Sequence, residues 1–219
     1  MSGLWERKAA LEVIARLEKG EAPANVASSL GLDALDLVAA VAHDAIGESA
    51  GGDWPPLVQG SPKRPGLKPT LLEDGIPALF PSASRPARLA LAAGLLQIHD
   101  FWDASHNAAQ LADDLGESTV SAYWHGIGHR REPDAGNASY WFRRVGRHHV
   151  FGALADSVRS LRDLSEPEAK AVERLLPRGA WDPFAFIDLC CSSTRTNSRL
   201  ALTIQRIEMR LLLDASIPA

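Results

Sequence analysis

Four of the chain's seven histidines, His99, His106, His125 and His129, fall within one short stretch. At about 100° per residue, His99, Asp103 and His106 share one helical face if the backbone around them is continuous. By the same spacing His125, His129 and Glu132 share one face of the next helix. Two antiparallel helices joined by a short turn near Gly116 would direct these imidazoles and carboxylates into one space. Neutral imidazole and carboxylate suit Zn, Fe, Mn or Ni, and a histidine pair at i, i+4 can hold one ion on a helix surface. The expected metal ligands are therefore His99, His106, His125 and His129, around a divalent transition metal with an open position that acidifies water for hydrolysis. Asp103 and Glu132 are the expected catalytic carboxylates. The competing expectation is a non-catalytic ligand-binding or interaction protein, in which the same residues form a buried polar network that organises the fold. The H-x-x-x-H pair lacks the adjacent glutamate of metalloproteases, so spacing alone has low specificity.

A charge reversal accompanies the histidines. Leu89 to His129 contains no Lys or Arg and carries Asp100, Asp103, Asp113, Asp114 and Glu117, whereas the next twenty residues carry Arg130, Arg131, Arg143, Arg144 and Arg147. Arginine makes planar, bidentate contacts with carboxylate or phosphate that lysine does not copy. Arg130, Arg131, Arg143 and Arg147 are accordingly expected at the edge of a pocket for a small anionic or sugar-like molecule, with Trp124 and Trp141 as stacking surfaces. The alternative is that the arginines pair internally with the preceding acids and fix the helices.

The segment YWHGIGHRREPDAGNASYWFRRVGRH, Tyr123 to His148, resembles a motif carried by a group of uncharacterised bacterial proteins. The upstream HDFWDASH, His99 to His106, is similar to part of the same pattern, as is WDPFAFIDLC, Trp181 to Cys190. These pieces span around a third of the chain. The resemblance brings no established activity, but it implies that His125, His129, Arg130, Arg131, Glu132 and Asp134 belong to one recurrent unit.

The elements that must position these residues read as helices throughout. Trp5 to Lys19 is helical up to a stop at Gly20, a short helix follows from Pro23 to Leu30, and Asp33 has the chemistry of an N-cap for a third helix to about Ile46. Pro and Gly then crowd residues 47–69, a density of breakers that excludes regular structure. From Arg85 to about Leu115 the pattern is helical, with a candidate break near Asp103. Ser118 or Thr119 is expected to cap a helix running to Arg131, which stops ahead of Pro133. Asp134–Val145, Val150–Leu164, Glu166–Leu176, Pro183–Cys191 and Asn197–Asp214 complete the set. Period-2 alternation is almost absent, so the expected fold is an all-α multi-helix bundle with a long Pro/Gly-rich connecting loop. The expected organisation is a small N-terminal helical unit (1–47), a linker or wrapping loop (48–84) and a main helical domain (85–219).

Composition bounds what this architecture serves. The 219 residues carry a formal net charge of −4, which supplies no global field for nucleic acid or an anionic membrane surface. Ala24 to Val41 has helix-turn-helix spacing, yet its second helix carries Asp33, Asp36 and Asp44 and no Lys or Arg, opposing phosphate. No nucleic-acid partner is expected. No apolar run reaches the roughly 18 residues of a bilayer span, so no membrane partner is expected either. Cys190 and Cys191 are adjacent and unsuited to bridging each other, which fits reduced thiols in the cytoplasm. The His43-Asp44 and His99-Asp100 doublets resemble the metal-binding doublet of the HD-domain phosphohydrolases, a second route to an all-α metal enzyme; no histidine precedes His43, so the family's ligand count closes only with His43 as the upstream ligand of His99-Asp100, across the Pro-rich loop.

Overall fold

A computed structural model describes residues 7–47, 54–193 and 198–218. Among them the chain forms twelve α-helices and no strand, an all-α multi-helix fold. In chain order these are α1 (Arg7–Glu18), α2 (Pro23–Leu30), α3 (Ala34–Ile46), α4 (Lys68–Leu71), α5 (Arg85–Ile98), α6 (Trp102–Asp114), α7 (Val120–Arg131), α8 (Ala135–Val145), α9 (Val150–Arg159), α10 (Glu166–Leu175), α11 (Pro183–Ser193) and α12 (Arg199–Ser216).

Local chemistry accounts for many of the ends. Asp33 accepts from Asp36 N while Asp36 reaches back to Asp33 N, a reciprocal cap that starts α3. Asp134 accepts from Asn137 N at 2.9 Å and starts α8. At α7 the expected Ser118 or Thr119 cap is replaced by Glu117, whose carboxylate accepts from the backbone N–H groups of Thr119, Val120 and Ser121. One anion thus satisfies three orphan donors at the positive end of the helix dipole.

The α5–α6 boundary positions the site. The helix breaks at His99–Phe101, just ahead of the expected Asp103. Phe101 N bonds Leu96 O at 3.0 Å and Asp100 N bonds Gln97 O at 3.3 Å. These two bonds make a Schellman ending, with Asp100 at φ +63° in the position that usually takes glycine. Asp tolerates that left-handed conformation better than most side chains. Its carboxylate is then held by Arg131, as described below.

One continuous apolar core runs from Ala10 in α1 to Leu213 in α12. The central element is α5, buried at every position from Leu89 to Ile98. It packs against α6, α7, α12 and α3. The N-terminal helices therefore share their core with the rest of the described chain. Gly94 of α5 allows close approach to Trp124, since a Cβ there would lie 2.7 Å from the indole.

The Pro-rich segment contains short helical pieces, α4 and 3₁₀ turns at Pro65–Leu67 and Ile76–Leu79, and it is tied to the helices. Arg131 Nε donates to Pro56 O at 2.9 Å, Gln205 Nε2 donates to Pro55 O at 2.9 Å, and Gln59 N donates to Arg131 O at 2.8 Å. Arg64 forks onto Asp44 with bonds of 2.7 and 2.9 Å. Among the described residues no single helix is long and apolar enough to cross a membrane.

Candidate metal centre

Helices α6 and α7 form the hairpin around Gly116 on which the histidines sit. His125 and His129 lie one turn apart on α7, and His106 meets them from α6. One ring nitrogen from each of His106, His125 and His129 lies within 4.8 Å of the others. The His125 and His129 rings stack at 5.0 Å between centroids, and His106 stands edge-on to both at 4.3 and 5.4 Å. Three donors so spaced can hold a transition-metal ion. His129, Glu132 and Asp134 form a second group within the same limit, sharing His129 with the first.

The rings are held by their neighbours. Glu132 Oε2 lies 2.9 Å from His129 Nδ1, which fixes that ring and leaves Nε2 for a ligand. Trp141 of α8 stacks on His125 at 3.8 Å. Trp102 lies 5.1 Å from His106 and anchors its indole N–H on Gly128 O at 3.1 Å. His125 Nδ1 is buried with no hydrogen-bond partner, an orphaned polar atom inside the cluster.

The electrostatics favour neutral imidazole. Burial, then the proximity of His106, His129 and Arg144, pushes the His125 pKa down to about 3. Burial and the neighbouring His129 also lower His106. Neutral rings keep a lone pair for a metal at pH 7.

His99 does not join this group. The break at Asp100 detaches it from the face of α6, and its Nε2 donates to Val41 O at 3.2 Å. Burial, only partly offset by Asp44 and that backbone bond, lowers its pKa to about 4. It belongs to the α3–α5 packing. Asp103 stays near the group, exposed and one turn before His106 on α6.

The arginines expected at a pocket edge lie elsewhere. Arg130 is fully buried and forks onto Glu208 of α12 at 3.1 and 2.5 Å, where Tyr123 Oη also donates at 3.1 Å. Arg131 is fully buried against Asp100 and the backbone oxygens of Pro56 and Gln97. Both are structural, because two charges removed from water are held by close partners. Arg143 and Arg147 are exposed, and Arg143 lies about 200° round α8 from the ring-bearing Trp141. Arg144 is the arginine beside the cluster: its Cζ lies 5.1 Å from the Trp141 ring, and it bonds both Asp113 oxygens at 2.7 Å.

The tryptophans divide in the same way. Trp124 is wholly buried and donates to Ser216 Oγ at 2.9 Å, so it is a core residue. Trp141 touches the site, but its ring is already engaged by His125 and Arg144. It supports a ligand instead of offering an open stacking surface.

Spacing does not single out Glu117, Trp102 or Arg144 as site or capping residues. Their positions follow from the phase of each helix. Cys190 is buried, and burial pushes its thiol up to about 12, which leaves no thiolate for nucleophilic chemistry. His43, Asp44, His99 and Asp100 do not assemble into a metal group among the described residues, and Asp44 and Asp100 are spent on Arg64 and Arg131. No family model matches the chain, and no curated protein or solved structure matches it significantly.

Proposed function

We propose that this chain binds one divalent transition metal through His106, His125 and His129 and uses it as a Lewis acid for hydrolysis. The observation that supports this most is the convergence of three imidazole nitrogens within 4.8 Å on two different helices. Three neutral nitrogen donors match the ligand number of hydrolytic zinc sites that keep a fourth position for water. Glu132 supports the reading as the carboxylate that orients His129. It is partly exposed, with its side chain at 37% of full accessibility, so its second oxygen can also take a proton from water. Cys190 and Cys191 form no disulfide, which fits a cytoplasmic setting.

This reading is tested by titrating untagged protein with Co(II) and following its visible absorption, which reports coordination number. A saturable tetrahedral or five-coordinate spectrum that vanishes in His106→Ala supports three-histidine ligation. Addition of Zn(II) should then confer chelator-reversible hydrolysis on a panel of simple ester, amide and phosphoester substrates. A spectrum unchanged in His106→Ala contradicts the ligand set, and metal-loaded protein inert toward every substrate contradicts the hydrolytic role.

A further inference from the structure

The charges around the three histidines are opposite to those that an anion-binding pocket needs. Asp103 precedes His106 by one turn on the same face of α6, a spacing that leaves about 5–6 Å between Cβ atoms, and it is exposed. Glu132 touches His129, and Asp134 has an oxygen within 4.8 Å of a ligand atom of both. Asp103 and Glu132 thus stand exposed beside the cluster, while both oxygens of Asp134 accept from Asn137.

The nearby cations are occupied. Arg130 and Arg131 are sealed in the core on Glu208 and Asp100. Arg144, the arginine closest to the rings, is held by both oxygens of Asp113 and lies over Trp141, whose indole contacts His125. The Nδ1 of His125, a residue only 3% exposed, is buried without a hydrogen-bond partner.

We infer that a metal held by His106, His125 and His129 selects a ligand that gives it a neutral donor and carries a cationic amine toward Asp103 and Glu132. This deepens the metal reading and rests on it. A bound divalent ion offsets part of the negative rim at the coordination position itself, but an approaching anion must still pass the carboxylates, whereas an ammonium group gains from each of them.

The experiment uses the full chain loaded with Co(II) and three probes of matched shape: 1-methylimidazole, 1-(3-aminopropyl)imidazole and 3-(imidazol-1-yl)propionate. Each offers the same ring nitrogen, and they differ in carrying no charge, a positive charge or a negative charge. At low salt the aminopropyl probe should bind about fivefold more tightly than the propionate probe, the scale of one exposed ion pair. The difference should shrink in 0.5 M NaCl and in Asp103→Asn. Co(II)-loaded protein that binds the propionate probe equally well or better overturns the charge preference alone. A protein that takes up no Co(II) overturns the metal reading, and the inference falls with it.

Discussion

Glu132 Oε2 lies 2.9 Å from His129 Nδ1 across a single turn at the end of α7. The contact fixes one face of the imidazole, whose ring lies 5.4 Å from that of His106 and 5.0 Å from that of His125 between centroids. Loss of such a carboxylate typically weakens metal affinity by about 10- to 100-fold. Glu132→Ala should therefore lower Co(II) affinity within that range, measured by competition with a chelator, while the far-UV circular dichroism stays unchanged. Equal affinity in the two proteins would show that the contact does not tune His129.

The buried arginines should behave as parts of the fold. Arg130 and Glu208 are both shielded completely from solvent, as is Arg131 beside Asp100. Removing one partner of such a pair strands the other charge, at a cost of about 3–5 kcal/mol. Urea denaturation of Glu208→Ala and Arg131→Ala should report losses of this size. Arg143→Ala, on the exposed face of α8, should stay within about 0.5 kcal/mol of the parent.

How far the sequence foretells this arrangement depends on how local each signal is. The cap at Asp33 and the spacing of His125 and His129 involve residues within one turn, and the structure has them where the pattern predicts. Helical spacing predicts His99 beside His106. Asp100 ends α5 in a conformation usually marked by glycine, and no local pattern reveals that Arg131 holds it there. Arg130 is the sharper case, since its partner Glu208 lies 78 residues away. Nor does composition distinguish Arg143 from Arg144. Only the rotation of α8 against α6 and α7 decides which of them meets Asp113 and Trp141.

Stability should fall in acid through His99. Its pKa is about 4 in the folded chain against about 6.5 when exposed, so the unfolded chain takes up the proton first. The contribution is complete above about pH 6.5 and is lost as pH falls toward 4, amounting to about 3 kcal/mol at most. Urea midpoints measured between pH 7 and 4 should drop less steeply in His99→Gln, which keeps a hydrogen-bond donor but does not titrate. Parallel curves for the two proteins would show that His99 does not carry this dependence.

The α5–α7 contact should tolerate no added methyl group. A Cβ at Gly94 would stand 2.7 Å from the ring of Trp124, which is itself fully buried. Gly94→Ala should cost about 1–3 kcal/mol despite alanine's better helix propensity. A raised melting temperature would mean that the indole moves aside freely.

The central claim is that three histidines from α6 and α7 grip one metal ion. Its most direct test is the metal content of the chain, purified without a histidine tag and dialysed against a trace of mixed divalent transition metals, measured by inductively coupled plasma mass spectrometry. The account predicts close to one equivalent in the parent and almost none in the His125→Ala, His129→Ala double variant, with both proteins equally helical. A parent free of metal, with a melting temperature indifferent to both metal and chelator, would contradict it.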